Sequence, residues 1–488
     1  MQNIYWRRDI TRILGIGFLV LTGFGILYSS GEAWQVENGF AVCTAVNNQY
    51  NLNIVSDGRK GAIICWQDYR NGSADIYAQA IDSTGTAKWT LNGIAVCTAL
   101  NDQVLSKQVS DGQGGAIISW KDGRNGNNDI YAQAIDSAGV VKWPLNDLAI
   151  CTAAGVQESL QMITDGQGGA IITWIDYRNG NTNSDIYAQA IDSTGMTKWA
   201  LNGIAICTAS NNQFEQYLTS DGQGGAIISW ADYRGTTENP GQGADIYAQA
   251  IDSAGTVKWV LNGISICTAT SGQYIPRIVT DGQGGAIITW SDARYDLSDI
   301  YAQAVDSAGI IKWTQDGIVI SQTSNMQNNS NIIADGQGGA IICWGDYRTT
   351  NMDLYAQAVD STGSVKWTAN GIAICTASNY VSYAPLISDG QGGAIFSWED
   401  KRNGTSNIDI YTQAIDSSGL AKWMLNGVAI CTAANNQSTP RLIPDEFGGA
   451  IIAWYDYRNG NDDIYVQSIY ASGQVPVELS VFYTEPSY

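Results

Sequence analysis

The chain of 488 residues is built from one sequence motif that occurs eight times. Successive copies begin 54 to 60 residues apart, a period in the range of four-stranded propeller blades rather than two-helix repeats. The repeat runs without a linker from Trp34 to Gly473, so we expect one large ring rather than several domains. The string DGQGGAII begins at Asp111, Asp165, Asp221, Asp281 and Asp335, and close variants begin at Asp57, Asp389 and Asp445.

Within a unit, short β-rich segments alternate with turn residues, which is typical of an antiparallel meander. In the second unit we predict strands at residues 105–110, 116–121 and 129–136, and an outer strand at 140–151 that is broken near Pro144. Both faces of such a sheet are apolar. We therefore expect neighbouring blades to cover them and the ring to close, because closure also removes exposed sheet edges.

The two ends of the repeat array complement each other. The last unit has Val477 where the other units have a recurrent Trp, and residues 34–43 stand before the first unit without strands of their own. The sequence predicts an all-β, eight-bladed propeller of four-stranded antiparallel blades, whose last blade is closed by the N-terminal strand. We assign residues 34–473 to the propeller and 474–488 to a C-terminal tail.

Residues 1–33 have the pattern of an export signal. Basic residues are followed by an apolar run at 13–28 and by small residues up to Ala33. Cleavage after Ala33 would leave no membrane span in the mature chain, and an uncleaved N-terminal anchor is the alternative. We expect a secreted or cell-surface protein, with the periplasm as a further location.

Composition limits the chemistry that is available. The net charge is −21, and four Asp recur in each unit, where Asp favours turns. Such a surface argues against a nucleic-acid partner. Histidine is absent, which excludes Ser-His-Asp and Cys-His catalysis and imidazole zinc sites. We expect buried free thiols rather than disulfides or a metal cluster, because seven of the nine cysteines share one repeat position: Cys43, Cys97, Cys151, Cys207, Cys267, Cys375 and Cys431.

Two series of tryptophans recur, one represented by Trp66 and the other by Trp89. We expect both to pack blades together, and a stacking platform for sugars is the alternative. Residues 77–89, YAQAIDSTGTAKW, resemble the tryptophan-docking segment of quinoprotein dehydrogenase propellers. The resemblance implies blade packing only, since the chain has no adjacent Cys pair to accompany a quinone.

The whole unit, DG-x-GG-A-I-x-x-W-x-D-x-R-x-G followed by DIYAQ and G-x-x-x-W, is similar to the repetitive propellers of secreted and cell-surface bacterial proteins. Residues 475–480, VPVELS, resemble the linker before the C-terminal sorting domain of Bacteroidetes-type proteins, and that domain does not follow in this sequence. The resemblance implies an extracellular location.

Length varies between units at one place, the loop from the Arg of D-x-R to the Asp of DIY. The longest of these loops follows Arg234, and such loops often bind partners. A surface loop without a function is the alternative. The candidate binding residues on this face are Arg234, Thr236, Glu238, Asn239, Gln242, Tyr295 and Asp296.

The same loop holds Asp68, Arg70 and Asp75 in the first unit. We expect an Asp–Arg ion pair that ties the hairpin to its neighbour, and a calcium site is the second interpretation. No other metal or cofactor is expected.

Near-identical blades lack the asymmetry that a reaction centre needs, so we name no catalytic residue. Departures from the repeat, such as Glu215 and Glu399, are scattered. The sequence favours a non-enzymatic binding or structural module for a glycan, matrix or protein partner, with its oligomeric state open. The alternative is an extracellular carbohydrate-active enzyme, a glycosidase or lyase, with carboxylates from different blades at the mouth of the ring.

Overall fold

Eight four-stranded antiparallel sheets form a closed ring. The computed structural model describes residues 34, 36–143, 148–180, 183–235, 243–295, 297–377, 381–382 and 384–476. Each sheet is one propeller blade. Its innermost strand contacts the innermost strands of the two neighbouring blades, and these contacts return from the last blade to the first. The predicted all-β propeller of eight blades is confirmed.

The strands take four places in each blade, from the channel outwards. The inner strands are β2 (Gln49–Ser56), β6 (Gln103–Ser110), β10 (Gln157–Thr164), β14 (Gln213–Ser220), β18 (Gln273–Thr280), β22 (Gln327–Ala334), the pair β26 (Val381–Ser382) and β27 (Leu386–Ser388), and β31 (Gln437–Pro444). The second strands are β3 (Ala62–Asp68), β7 (Ala116–Asp122), β11 (Ala170–Asp176), β15 (Ala226–Asp232), β19 (Ala286–Asp292), β23 (Ala340–Asp346), β28 (Ala394–Asp400) and β32 (Ala450–Asp456).

The third strands carry the DIYAQ segment, and the outer strands are the shortest. The third strands are β4 (Asp75–Ile81), β8 (Asp129–Ile135), β12 (Asp185–Ile191), β16 (Asp245–Ile251), β20 (Asp299–Val305), β24 (Asp353–Val359), β29 (Asp409–Ile415) and β33 (Asp463–Ile469). The outer strands are β1 (Phe40–Cys43), β5 (Ile94–Cys97), β9 (Leu148–Cys151), β13 (Ile204–Cys207), β17 (Ile264–Cys267), β21 (Ile318–Ser321), β25 (Ile372–Cys375) and β30 (Val428–Cys431).

The observed bounds differ from the predicted ones mainly in the outer strand. In the second blade only β9 is a strand, and Val141 forms one isolated bridge with Ile135. Residues 144–147, which contain the predicted break, lie outside the described residues. The inner strand β6 begins two residues earlier than predicted, because Gln103 already pairs with Asp122.

The last blade is completed by the N-terminal strand, as predicted. Strand β1 pairs antiparallel with β33, in the order β1, β33, β32, β31. The side chain of Arg458 donates to the carbonyl of Asn38 at 2.7 Å, and that of Gln467 donates to the carbonyl of Val36 at 2.8 Å. Both ends of the repeat array therefore lie in one blade.

Both tryptophan series pack the blades, which confirms the prediction. Trp66 and its seven equivalents in the second strands are almost completely buried. Trp89 reaches the next blade, where its indole Nε1 donates to the carbonyl of Ser137 and its ring lies against Gly139. Trp34 makes the same contact from the closing strand, donating to the carbonyl of Ser83 at 2.8 Å. The docking contact thus continues across the join between the chain ends.

All nine cysteines are described, and all are buried free thiols as predicted. Burial is the main cause that raises the pKa of Cys43 and Cys65 to about 12. A thiol with so high a pKa is a poor nucleophile, because the thiolate is the reactive form. These cysteines act as small core residues.

Candidate functional site

The D-x-R motif forms the same buried network in every blade. In the first blade, Asp68 accepts hydrogen bonds from the indole of Trp66 at 2.7 Å and from two nitrogens of Arg70 at 2.6 and 2.8 Å. The guanidinium lies over the ring of Tyr77, 3.9 Å from its centroid, and also contacts the thiol of Cys43 on the preceding blade. The predicted ion pair is therefore present, and it is part of the scaffold.

The Asp that begins the DIYAQ segment, Asp75 in the first blade, accepts a hydrogen bond from a side-chain amide in most blades. Asn71 donates to Asp75 at 2.8 Å, and corresponding Asn residues do so in four other blades. In the fourth blade Gly235 takes the place of the Asn, and Asp245 has no such donor among the described residues. Burial, followed by the neighbouring charge of Asp232, raises the pKa of Asp245 to about 6.

The predicted variable-loop site is only partly described. Arg234 is held within the scaffold, where it binds Asp232 at 2.6 Å, the carbonyl of Asn262 and the ring of Tyr247. Tyr295 is 61% exposed and free to meet a partner from solvent. Thr236, Glu238, Asn239, Gln242 and Asp296 lie outside the described residues, so their role stays a prediction.

A second group of non-repeated residues lines the centre of the ring, on the inner strands. The inner strand carries a bulge between its second and fifth residues in every blade but the seventh, where it is divided into β26 and β27. The third residue has a φ of 52° to 57°, even where it is the β-branched Ile275 or Thr439. A β-branched residue in this conformation is strained, and bulges of this kind re-aim neighbouring side chains.

A cavity of about 560 Å³, here called the mouth cavity, is lined by the bulges of four neighbouring blades, at Ser159, Glu215, Ile275 and Asn329. It opens on the face of the D-x-R loops, because Tyr233 of such a loop lines it. Two carboxylates from neighbouring inner strands, Glu158 on β10 and Glu215 on β14, line it together with Phe214 and Tyr217. The mouth cavity therefore combines acidic groups with aromatic surface.

The surroundings of the two carboxylates differ. Glu215 accepts a hydrogen bond through Oε2 from the backbone N–H of Ile275, at 2.6 Å, and so supports the bulge of the next blade. Burial, followed by the carboxylate of Glu158, raises the pKa of Tyr177. Glu158 thus lies beside the phenol of Tyr177, within hydrogen-bonding reach of its hydroxyl.

A second cavity of about 460 Å³, here called the inner cavity, lies next to the first and shares the lining residues Tyr217, Arg277 and Asn329 with it. Lys107, Arg277 and Arg441 line it from three different blades. Each is the fifth residue of its inner strand, so the three lie at one height in the ring. A cavity that is lined from opposite sides of the ring lies in the central channel.

Sequence reasoning missed this channel, although a signal for it was present. The fifth residue of the inner strand varies freely while the motif around it is repeated. In chain order it is Asn53, Lys107, Gln161, Tyr217, Arg277, Asn331, Pro385 and Arg441. A position that differs between the copies, within a motif that is otherwise repeated, indicates where the ring is asymmetric.

Within the part of the chain that the structure describes, no group of three or more Cys, Asp or Glu side chains is placed to hold a metal ion. The calcium interpretation of the D-x-R loop stays a prediction. Over the same residues, no helix has the length and apolar character needed to cross a bilayer.

No family model and no curated protein matches the chain. Solved structures with a similar fold include an ulvan lyase of polysaccharide lyase family PL25, with 12% identity over 93% of this chain and 98% of that chain and a TM-score of 0.46. An α-L-arabinanase from Penicillium chrysogenum shows 11% identity over 67% and 98% of the two chains, with a TM-score of 0.36.

A further similar structure is dipeptidyl peptidase 4 from Porphyromonas gingivalis, with 10% identity over 90% of this chain and 60% of that chain and a TM-score of 0.46. Carbohydrate-active enzymes are thus among the structural neighbours, alongside a peptidase.

Proposed function

We propose that this protein is an extracellular carbohydrate-active enzyme that takes a glycan chain into the mouth cavity, with Glu158 and Glu215 as its acid and base. The observation that carries the proposal is that two carboxylates from neighbouring inner strands line one cavity. Cleavage of a glycosidic bond commonly uses such a pair of carboxyl groups, one on each side of the bond.

The rings around the carboxylates suit a sugar. Phe214 and Tyr233 pack edge to face, with centroids 6.2 Å apart, and both line the mouth cavity with Tyr217. Aromatic side chains offer apolar faces on which sugar rings stack, and Tyr adds a hydroxyl for hydrogen bonding. The extracellular location rests on the pattern of residues 1–33.

The inner strands also supply the asymmetry that repeated blades lack. Glu158 is the second residue of its inner strand, where the first and fifth units have Tyr50 and Tyr274. Glu215 is the third residue, where the third unit has Ser159. Each carboxylate is therefore an exception to the repeat, as expected of a reaction centre.

The second candidate is a binding module without catalysis, as the sequence favoured. It is supported by the hydrogen bond from Ile275 to Glu215, because one oxygen of that carboxylate already has a structural partner. In this case the same cavity holds the glycan but does not cleave it.

A screen of neutral and acidic polysaccharides for new reducing ends or unsaturated products tests the proposal. We expect turnover by the native protein, a large loss in Glu158→Gln and Glu215→Gln, and full activity in Glu446→Gln, a control at a surface turn away from both cavities. Binding on a glycan array that depends on Glu158, without turnover, would select the second candidate. Turnover that survives both substitutions would contradict the assignment of the pair.

A further inference from the structure

The inner cavity collects positive charge in a strongly acidic chain. The protein has 25 basic residues against 46 acidic ones, yet Lys107, Arg277 and Arg441 line one cavity of about 460 Å³. They come from β6, β18 and β31, which belong to the second, fifth and eighth blades. Folding thus brings together three cations that lie far apart in the sequence.

The recurrent cations of the blades have structural partners. Each Arg of the D-x-R motif binds its own Asp, and Lys88 and its equivalents lie near turn carboxylates, as with Asp57 at 3.6 Å. Lys107 is different. Burial, then Arg441 and Arg277, lower the pKa of Lys107 to about 8, and the thiol of Cys65 opposes them. Over the described residues, no carboxylate is among the groups that shift this pKa.

The other groups at the same height are neutral. Asn53, Gln161 and Asn331 occupy the fifth position in three further blades. The amide of Asn53 already donates to the carbonyls of Asn51 and Ser106, whereas Asn331 lines the inner cavity and carries an amide N–H₂ that can donate. Tyr217 supplies a hydroxyl, and Arg277 lies over its ring, 3.9 Å from the centroid. Glu158 and Glu215 line the mouth cavity and do not line the inner one.

Like charges that converge in a half-buried cavity repel each other and are partly desolvated. A bound anion removes both costs, because charge-assisted hydrogen bonds from Lys and Arg are among the strongest in proteins. The arrangement is therefore complementary to a negative charge in the channel.

We propose that the inner cavity is an anion site that takes a sulfate, phosphate or carboxylate group, with Lys107, Arg277 and Arg441 as its charged ligands. Together with the proposed function, on which this extension rests, the site selects acidic saccharides, those with a uronate carboxylate or a sulfate ester. The shared lining residues Tyr217, Arg277 and Asn329 place the anion next to the sugar in the mouth cavity.

Titration calorimetry with sodium sulfate, at constant ionic strength in chloride, tests the anion site directly. We expect saturable binding that weakens about tenfold or more in Lys107→Gln and in Arg277→Gln, the loss expected for one hydrogen bond to a charged group. Lys121→Gln is the matched control, since Lys121 lies on the adjacent strand β7 and lines neither cavity. Equal binding by Lys107→Gln and Lys121→Gln, or no saturable binding at all, would overturn the proposal.

The pH dependence provides a second readout that does not require loss of the side chain. Sulfate should bind more tightly at pH 7 than at pH 9.5, because Lys107 loses its proton in this range. The charged and titratable groups that act on Lys107 are Arg441, Arg277 and Cys65, and Tyr217 lines the same cavity. In Lys107→Arg we expect binding that stays constant between these pH values, and an unchanged slope would contradict the role of Lys107.

Competition distinguishes the source of the anion. An acidic oligosaccharide should displace sulfate, whereas a neutral oligosaccharide of equal length should not. Displacement by neither would overturn the saccharide assignment and leave a free inorganic anion as the ligand. Glu158→Gln should keep its sulfate binding, so failure of the proposed cleavage and failure of the anion site give different results.

Discussion

Substitution of Gly39 should open the ring, because Gly39 lies where the closing strand meets the last blade. Its φ is +81°, and an added Cβ would overlap the ring of Trp454 and lie 2.8 Å from the carbonyl oxygen of Val466. The left-handed conformation costs roughly 1–2 kcal/mol for a residue with a Cβ. Overpacking against a rigid neighbour adds about 1–3 kcal/mol. We therefore expect Gly39→Ala to cost about 2–5 kcal/mol, the sum of these two ranges.

Two other glycines separate the causes. Gly72 has a φ of +99° and open space around it, so Gly72→Ala should show the conformational cost alone. Gly93 has a φ of +83° and the same surroundings as Gly39, with Trp66 and the carbonyl of Ala78 in contact. Gly93→Ala should therefore cost as much as Gly39→Ala. The outer strand β5 beside Gly93 stays in place, however, because it is flanked along the chain by β4 and β6, whereas no strand precedes β1 among the described residues.

Hydrogen exchange followed by mass spectrometry can measure the difference. In Gly39→Ala we expect strand β1 and the paired residues of β33 to lose protection, while the other blades stay protected. In Gly93→Ala the loss of stability should be spread over the first blade without release of an end. Equal protection of β1 in the native protein and in Gly39→Ala would refute the reasoning.

Three further substitutions, and a fourth that serves as a control, test the scaffold and the bulges. Gly235→Asn restores the amide donor that Asp245 lacks and should lower the pKa of Asp245 from about 6. A carboxyl whose folded pKa is raised loses stabilisation as pH rises through that value. Urea denaturation should therefore show that Gly235→Asn stabilises the protein by about 1 kcal/mol at pH 7.5 and not at pH 4. Thr439→Asn should stabilise the protein by about 1 kcal/mol in the same assay, because Asn tolerates the φ of 53° and already occupies the equivalent positions 51 and 329. If the stability does not increase, the bulge is not strained. Asp292→Asn should cost about 3–5 kcal/mol, because it leaves the largely buried guanidinium of Arg294 without its counter-charge. Asp316→Asn restores the residue found in most other units and should be nearly neutral, so similar losses in the two variants would contradict the network.

The architecture was predictable from the sequence because the same physical constraints act eight times. Repeated turn signals, apolar strands and paired tryptophans all indicated four-stranded blades, and the missing outer segment of the last unit indicated closure by residues 34–43. The inner strand was harder to predict. The pattern could not show that it begins at Gln103, or that the bulge turns Lys107 towards the channel, because neither depends on hydrophobic periodicity.

The candidate site was harder to predict for a different reason. Sequence reasoning looked for variation in length, which led to the loop after Arg234, whereas the channel varies in residue type at constant length. Lys107, Arg277 and Arg441 are far apart along the chain, and only closure of the ring brings them together. Their proximity is a property of the assembled circle and of no single repeat.

Closure by β1 also determines the order of events during synthesis. The contact between Asn38 and Arg458 joins residues 420 positions apart, so the first strand to be made has no partner until the last blade has been made. Forming so distant a contact is slow, because the ends of a long chain must first find each other. Until then both flanks of the growing arc are exposed edges that can pair with another chain. Until β33 has been made, the growing chain is therefore an open arc, and the time that its two ends need to meet is the time during which it is vulnerable to aggregation.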